Sequence, residues 1–226
     1  MLLKKLINKI PKKFININIA GLSSNSKEVK RNYIFFAIRG NKINGEKFIN
    51  HAIKKGAVVI ICSKKCNFKS EKILVIKSNN IRNLLSKISS RFFKLKPKNI
   101  IAVTGTNGKT SVADIFFQIF NLNKIPAASI GTLGIKYNNK IIKTNLTTPD
   151  TITIHKYLEF LKRKKIDNVI IEASSHGLDQ DRLNDVNLKA AIFTNFSQDH
   201  LDYHKTMKSY LGAKMILFKK ILKKNS

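Results

Sequence analysis

The sequence predicts an α/β protein made of two domains with mainly parallel sheets. Short apolar runs that are typical of buried strands alternate along the chain with helical stretches of about ten to fifteen residues. Such alternation favours right-handed crossovers between parallel strands. The 226 residues are enough for one large or two modest domains, and 43% of them are hydrophobic, so the chain can bury a core.

The first segment, residues 1–96, contains three strand-like runs and two helical stretches. A polar break at Lys96-Pro97-Lys98 follows the second helix and marks the expected domain boundary. The stretch Met1–Lys13 is basic and partly apolar, and we expect it to form a surface helix. The strands are expected at Tyr33–Ile38, Ala57–Cys62 and Ile73–Ile76, and the helices at Lys47–Lys55 and Ile81–Leu95.

The second segment, residues 97–226, shows the same alternation more regularly. A hairpin is expected at 132–143, around Asn138-Asn139, and a helix should begin with Pro149 at its first position. Because ligands of parallel sheets bind at the carboxyl ends of the strands, polar residues that follow strands are candidate site residues. The strands are expected at Ile100–Thr104, Ala127–Ile130, Asn168–Glu172 and Ala190–Phe193, and the helices at Lys109–Leu122, Thr151–Lys164 and Met207–Leu222.

The formal charge of +30 comes from 43 Lys and Arg residues against 13 Asp and Glu residues. This charge is spread along the whole chain and is mostly lysine. No helix-turn-helix, zinc-finger or RNP motif accompanies it, so we expect no nucleic-acid partner. A basic nucleic-acid binder, with an affinity that falls steeply with salt, stays open as an alternative.

The two cysteines, Cys62 and Cys66, indicate a reducing compartment rather than a disulfide scaffold. Their spacing lacks a second Cys or His pair nearby, which argues against a zinc site. The longest apolar run, Ala57–Cys62, is far shorter than the ~20 residues of a membrane span. With no signal sequence at the amino terminus, we expect a cytoplasmic, monomeric protein without membrane insertion.

The strongest motif, VTGTNGKTS, follows the first strand of the second segment. Gly105 and Gly108 allow the backbone to curl so that N–H groups face phosphate oxygens, and the next helix adds its positive dipole end. In such loops the lysine, Lys109, reaches the β- and γ-phosphates, and the hydroxyl of Thr110 ligates magnesium. Val103 stands where the standard pattern has glycine, so an ordinary glycine turn is the alternative interpretation.

A second polar cluster, EASSHGLDQDR, begins with Glu172 at the end of a predicted buried strand. A carboxylate in that place is costly unless it meets a cation, and in phosphate-loop proteins it normally completes the magnesium site. Ser174, His176, Gln180 and Arg182 offer hydrogen bonds and one fixed positive charge to an anionic substrate. Helix capping by Ser174 or Ser175 beside a solvated polar turn is the alternative.

A third cluster, FTNFSQDHLDYH, follows the last predicted strand. His200 in this cluster is a candidate ligand of a second magnesium ion or a phosphate contact, and a structural histidine bound to a backbone carbonyl is the alternative. His200 and His204 are spaced as in a zinc helix. Leu201 occupies the position where a zinc protease has glutamate, so we reject that site.

Together, VTGTNGKTS, TTPD, EASSHGLDQDR and FTNFSQDHLDYH resemble the motifs of the Mur ligase family, in the same order and over nearly the whole chain. They look most like the members that add the third peptide residue. SNSK, which begins at Ser24, and YIFFAIRG, which begins at Tyr33, resemble that family's uridine-nucleotide segment. Asn25 and Lys27 depart from the Asp and Arg that are common there, which weakens the expected uridine contact because lysine cannot copy a bidentate arginine.

The resemblance implies a UDP-binding α/β domain at 1–96 and an ATP-binding central ligase domain of the P-loop type at 97–226. The UDP part of the substrate would contact Ser24, Ser26, Asn41, Lys42 and Ile43. ATP would be held by Gly105, Thr106, Asn107, Gly108, Lys109, Thr110 and Ser111. The muramoyl dipeptide would be held by Thr147, Thr148, Ser174, Gln180 and Arg182.

The resemblance also implies the catalytic and metal-binding residues. The catalytic residues would be Lys109, Glu172, His200 and Lys214, and the magnesium ligands would be Thr110, Glu172, His200 and Lys214. Lys214 matches a lysine that the family carbamylates, which turns a cation into an anionic metal ligand. Without the resemblance, Lys214 would be interpreted as a solvated helix lysine.

The implied reaction uses ATP and Mg²⁺ to join a diamino acid, diaminopimelate or lysine, to UDP-N-acetylmuramoyl-L-Ala-D-Glu through an acyl phosphate. Family members are longer and carry a third domain that binds the incoming amino acid. We therefore expect that domain to be absent and this chain alone to have little or no ligase activity. A non-catalytic nucleotide-binding remnant is the alternative, while a folylpolyglutamate synthetase shares the ATP loop but fits the other motifs poorly.

Overall fold

The computed structural model describes residues 1–40 and 43–222. The packing of Cα atoms divides the chain into two compact units, Met1–Phe92 and the chain from Phe93 onward. Each unit contains one sheet with helices, which confirms the predicted α/β class with mainly parallel sheets. What each unit binds stays a prediction.

The first unit contains a four-stranded sheet in the order β1-β2-β3-β4, and all of its strand pairs are parallel. β3 is largely buried, as expected for a strand between two neighbours in a parallel sheet, and its apolar residues pack with Phe35 and Ala52. The strands are β1 Gly21–Ser23, β2 Tyr33–Phe36, β3 Ala57–Ser63 and β4 Leu74–Ser78, and the helices are α1 Ile49–Lys54 and α2 Ile81–Phe92. Short 3-10 turns lie at Ser26–Glu28 and Gly45–Phe48.

The predicted surface helix at the amino terminus is wrong. The segment forms two 3-10 turns, Leu3–Lys5 and Lys12–Phe14, and both Leu3 and Leu6 are 0% exposed. Its backbone bonds go to a neighbouring segment instead of along a helix, since the Leu3 N–H donates to the Ile17 carbonyl at 2.9 Å. Pro11 explains the break, because proline lacks the N–H that a continuing helix needs. The amino terminus is therefore part of the core.

The second unit contains a six-stranded sheet in the order β10-β5-β9-β6-β7-β8. The first four of these strands are parallel, and β7 and β8 add the predicted antiparallel hairpin. The strands are β5 Asn99–Thr104, β6 Ala127–Gly131, β7 Gly134–Tyr137, β8 Lys140–Ile142, β9 Asn168–Glu172 and β10 Ala190–Phe193. The helices are α3 Lys109–Leu122, α4 Thr151–Arg163, α5 Ser175–Asp179, α6 Leu201–His204 and α7 Met207–Ile216.

The register of the second sheet aligns the carboxyl ends of three strands. Val103 pairs with Glu172 across β5 and β9, and Thr104 pairs with Phe193 across β5 and β10. The loops that follow these strands therefore leave the sheet at one edge, where α/β proteins bind their ligands.

Several helix termini differ from the predictions; α1 begins at Ile49 rather than Lys47, and α2 ends at Phe92 rather than Leu95. Asp150, not Pro149, is the boundary residue of α4, and its carboxylate accepts the N–H of Thr153 at 3.1 Å. A side-chain acceptor can satisfy an unpaired N–H of the first turn, which proline cannot do. The last helix ends at Ile216 and continues as a π-helical turn, Leu217–Ile221. In residues 1–40 and 43–222, no helix is long and apolar enough to cross a membrane.

The buried amino terminus predicts that Leu3→Ala destabilises the first unit. Removing a fully buried leucine side chain costs about 2–5 kcal/mol of unfolding free energy. The neighbouring Lys4→Ala is the matched control, because Lys4 is exposed and its replacement should cost less than about 0.5 kcal/mol. Urea unfolding measures both variants. Equal stability of the two would contradict the buried position of Leu3.

Candidate functional site

The loop between β5 and α3 has a backbone that requires glycine at two positions. Gly108 has φ +81° and directly precedes α3, and Gly105 has φ +153°. A Cβ atom on Gly105 would lie 1.9 Å from the Thr194 hydroxyl oxygen. Only glycine permits both the positive φ angles and this close approach. The two glycines therefore give the loop a backbone that other residues could not adopt, and the buried Val103 occupies the position of the first glycine of the standard pattern.

The segment after β10 holds this loop in place. Asn195 accepts the N–H of Thr106 with its backbone oxygen at 3.0 Å, and its side-chain oxygen accepts the N–H of Asn107 at 2.9 Å. The Thr194 hydroxyl donates to the Asn107 carbonyl at 2.6 Å. These contacts occupy the N–H groups of Thr106 and Asn107. The donors that a helix leaves unpaired in its first turn, Lys109–Ser111, are consequently the amides available to an anion.

Lys109 lies against its own loop. Its ammonium donates to the carbonyls of Gly105 and Thr106, both at 2.8 Å. Burial lowers the pKa of Lys109, and the nearby carboxylates of Glu172 and Asp199 partly oppose this shift. A lysine at the start of α3 is thus held beside two backbone oxygens and within the field of two acids.

Glu172 is a buried carboxylate, 2% exposed, at the end of β9. Its Oε2 accepts the hydroxyls of Thr110 at 2.8 Å and Thr132 at 3.1 Å, and its Oε1 accepts the N–H of Thr132 at 2.9 Å. An ionised carboxylate has about four acceptor positions, and these three bonds leave one of them, on Oε1. The structure therefore brings Thr110 and Glu172 together in a set of oxygen donors that suits Mg²⁺.

Gly131 and Thr132 are not among the predicted site residues, although both shape the surroundings of Glu172. A Cβ atom on Gly131 would lie 2.0 Å from Oε1 of Glu172, so glycine provides the space for the carboxylate. The two residues lie at the carboxyl end of β6, which is parallel to β9 and pairs Ile130 with Ile171. Their position directly after a strand is the signal that could have identified them.

Lys214 is 1% exposed, so its interpretation as a solvated helix lysine is wrong. Its ammonium donates to the Gly105 carbonyl at 2.6 Å and lies 4.3 Å from the ring centroid of Tyr210. Burial, together with the positive charge of Lys109, lowers the pKa of Lys214 to about 8. Tyr210 is fully buried and donates to the Thr106 hydroxyl at 3.2 Å, which joins α7 to the loop.

His200 lies several residues beyond β10, not at the strand end, and directly precedes α6 in the left-handed conformation, with φ 53°. Its side chain is 43% exposed, and Nε2 lies 3.4 Å from Oδ2 of Asp199. Its ring is 4.9 Å from the ring of His176 and 6.0 Å from that of Tyr210, measured between centroids. Its backbone oxygen accepts the N–H groups of Tyr203 and His204, and within the described ranges Glu172 is not among its hydrogen-bond partners.

The predicted substrate residues of the second unit adjoin Glu172 through Thr148. The Thr148 hydroxyl donates to the Glu172 backbone carbonyl at 2.7 Å and lies 3.0 Å from the Ser174 hydroxyl. Ser174 caps α5 by accepting the N–H of Gly177 at 3.1 Å, so the capping interpretation is correct for this residue. Thr147 contacts Thr132, and their hydroxyl oxygens are 3.1 Å apart.

Arg182 and Gln180 complete this group. The Arg182 guanidinium donates to the Thr148 carbonyl at 2.5 Å and to the Gln180 side-chain oxygen at 2.8 Å. These two acceptors orient the Arg182 guanidinium beside Thr148.

The predicted uridine residues lie in the first unit. Ser24, Ser26 and Ile43 line a cleft of about 580 Å³, while Asn41 and Lys42 lie outside the described residues. Phe48 and Arg82, which are not among the predicted residues, also line the cleft.

Comparisons with known proteins show which family this chain is similar to. The family model "Mur ligase middle domain" matches residues 103–226, and the model "Mur ligase family, catalytic domain" matches residues 18–92. UDP-N-acetylmuramoyl-L-alanyl-D-glutamate--2,6-diaminopimelate ligase of Brucella melitensis biotype 1 is 41% identical over 210 residues, which are 93% of this chain and 43% of the relative. The ligase of the same name from Rickettsia prowazekii (strain Madrid E) is 44% identical over 209 residues, 91% of this chain and 43% of the relative.

Solved structures show the same relationship. A UDP-N-acetylmuramoyl-L-alanyl-D-glutamate--2,6-diaminopimelate ligase has a TM-score of 0.84 at 28% identity, covering 97% of this chain and 45% of that one. The MurF ligase from Thermotoga maritima in complex with ADP has a TM-score of 0.60 at 21% identity, with 88% and 42% covered, and shows the shared fold. This chain spans less than half the length of the relatives that it matches. Its two matched regions and its motifs establish that the chain belongs to the Mur ligase family.

Proposed function

We propose that this chain acts in the ATP-dependent addition of diaminopimelate to UDP-N-acetylmuramoyl-L-Ala-D-Glu, a step of peptidoglycan precursor synthesis. The observation that carries the proposal is the bond between Thr110 of the phosphate loop and the buried Glu172. It joins the nucleotide loop to a carboxylate at the sheet edge where the predicted substrate residues also lie. The relatives named above support the choice of substrates.

Thr110 and Glu172 would hold Mg²⁺, which would neutralise charge on the ATP phosphates. The buried carboxylate fits this role because an unpaired negative charge at 2% exposure is costly. The Thr110 proton points to Glu172, so its oxygen lone pairs are free for a cation. We propose His200, whose ring lies near that of Tyr210, as a further ligand of Mg²⁺.

Lys109 would leave the Gly105 and Thr106 carbonyls and donate to the β- and γ-phosphates, where its charge stabilises the developing phosphoryl charge. Thr148, Ser174 and Arg182 would orient the dipeptide so that the D-glutamate carboxylate reaches the γ-phosphate. ATP supplies the phosphoryl group, and the acyl phosphate formed would then be displaced by the amine of the diamino acid.

Lys214 would be carbamylated. In this step the neutral amine attacks the carbon of CO₂, forming an N–C bond, and loses one proton. Burial favours the neutral amine, since a pKa of about 8 leaves a far larger unprotonated fraction at neutral pH than an ordinary lysine has. The neighbouring Lys109 would provide a positive partner for the carbamate.

The lowered pKa of Lys214 predicts its titration. In spectra of a chain with isotope-labelled lysines, recorded under CO₂-free conditions, the Lys214 side-chain signal should change with a midpoint near pH 8. The amine is protonated below this pH and neutral above it. Lys96 should give a second such signal, because burial also lowers its pKa to about 8. Lys214→Met and Lys96→Met assign the two signals. A Lys214 midpoint close to the ordinary value for lysine would contradict the buried position.

Nucleotide binding tests the proposed function. Calorimetric titration with ATP and Mg²⁺ should detect binding, and Lys109→Met should weaken it by roughly 10- to 100-fold, because hydrogen bonds to charged groups contribute about 1.5–3 kcal/mol. Thr110→Val should weaken binding in Mg²⁺ more than in EDTA. Lys140→Met, on the exposed face of β8, is the control and should bind as the unmodified chain does.

The same preparation should bind UDP-N-acetylmuramoyl-L-Ala-D-Glu. Absence of ATP binding by the unmodified chain would refute the proposal. ATP and dipeptide binding without ADP release on addition of diaminopimelate would support the nucleotide-binding role without ligation by this chain alone.

A further inference from the structure

We propose that Thr132 is a positioning residue that fixes the Glu172 carboxylate and couples it to the loop containing Thr147. This inference rests on the proposed function, because it concerns the carboxylate assigned to magnesium. Thr132 lies in the turn between β6 and β7 and belongs to none of the predicted site motifs.

Thr132 contacts both oxygens of Glu172. Its N–H donates to Oε1 at 2.9 Å and its hydroxyl donates to Oε2 at 3.1 Å. The last torsion of a glutamate side chain is broad and soft, so a single bond would leave the carboxylate free to rotate. Two donors from one residue, one to each oxygen, restrict that rotation. Thr132 therefore sets the plane of the carboxylate together with Thr110, whose hydroxyl also donates to Oε2.

The directions of the hydroxyl protons follow from the carboxylate. An ionised carboxylate only accepts hydrogen bonds, so the single hydroxyl proton of Thr132 points to Glu172. The Thr147 hydroxyl lies 3.1 Å from the same Thr132 oxygen, within hydrogen-bonding distance. The chain of bonds runs from Thr147 through Thr132 to Glu172. The position of the loop that contains Thr147 is thereby linked to the Glu172 carboxylate, the proposed Mg²⁺ ligand.

The backbone of the turn keeps Thr132 at this position. Gly131 pairs with Gly134 across the hairpin, and Gly134 has φ +94°, which glycine adopts without strain. Since a Cβ atom on Gly131 would lie 2.0 Å from Glu172 Oε1, the turn and the carboxylate are packed directly together. A small movement of the turn would consequently displace the carboxylate.

The proposal is tested with Thr132→Val, which keeps the backbone N–H and the shape but removes the hydroxyl. ATP affinity is measured by calorimetry in Mg²⁺ and in EDTA. We expect Thr132→Val to weaken binding in Mg²⁺ by about 5- to 10-fold, as for loss of a partly exposed hydrogen bond to a charged group, and to leave binding in EDTA unchanged. Thr132→Ser restores the hydroxyl and should bind within about twofold of the unmodified chain.

Thr144→Val is the matched control. The Thr144 hydroxyl donates to the carbonyl of Gly131, the residue before Thr132, at 3.3 Å. In the part of the chain that the structure describes, Thr144 has no hydrogen bond to Glu172. It should leave the affinity in Mg²⁺ unchanged. Thermal unfolding without nucleotide measures the stability of both valine variants, and an unchanged affinity in EDTA separates positioning of the carboxylate from general stability.

The coupling is tested with Thr147→Val and the double variant, titrated with UDP-N-acetylmuramoyl-L-Ala-D-Glu in the presence of Mg²⁺. An effect of the double variant that differs from the sum of the two single effects supports a direct connection between Thr132 and Thr147. Equal Mg²⁺-dependent ATP affinity of Thr132→Val and the unmodified chain would overturn the inference while leaving the proposed function standing. If the unmodified chain bound no ATP, both would fail.

Discussion

The buried carboxylate of Glu172 is the constraint on which the second unit depends. A negative charge at the end of a parallel strand is tolerated because donors from two elements, the start of α3 and the β6–β7 turn, bond to the carboxylate. Thr148 in addition bonds to the backbone oxygen of the same residue. Each of these donors lies in a segment with a predicted or proposed role in binding. The electrostatic requirement of one side chain therefore determines where several loops meet.

The order of the strands makes this meeting possible. β5 lies between β9 and β10. The loop between β5 and α3 therefore has Glu172, at the end of β9, on one side, and the segment after β10 that contains Asn195 on the other. The segment that contains Asn195 immobilises the loop by hydrogen bonds to Asn107. Tyr210 and Lys214 of α7 also bond to the loop. The site is thus assembled from residues far apart in sequence that a parallel register brings to one edge.

Much of this architecture could be predicted from local patterns. The bounds of α3, β9 and β10 agree with the predicted Lys109–Leu122, Asn168–Glu172 and Ala190–Phe193, because buried strands and the helix after a glycine loop leave clear signals in composition. The family was predicted from its motifs and is confirmed by the matched models. The roles of the individual site residues stay predictions.

Other features could not be predicted, since they depend on contacts between distant segments. Leu3 is buried by residues around Ile17, and local periodicity could not distinguish this from a surface helix. Lys214 lies in a helix of ordinary composition, and only the tertiary structure shows it beneath the loop. Thr132 is one polar residue in a hairpin turn. Its importance follows from the neighbouring β9, whose place in the sheet the sequence does not specify.

The backbone oxygen of Gly105 accepts hydrogen bonds from both Lys109 and Lys214, at 2.8 and 2.6 Å. Two like charges therefore converge on a single uncharged acceptor, which solvates them without neutralising either. Conversion of one amine to an anion would replace this repulsion by attraction, and the pair would become electrically neutral. The electrostatic potential at the β5–α3 loop would then depend on the chemical state of a helix residue more than a hundred positions away.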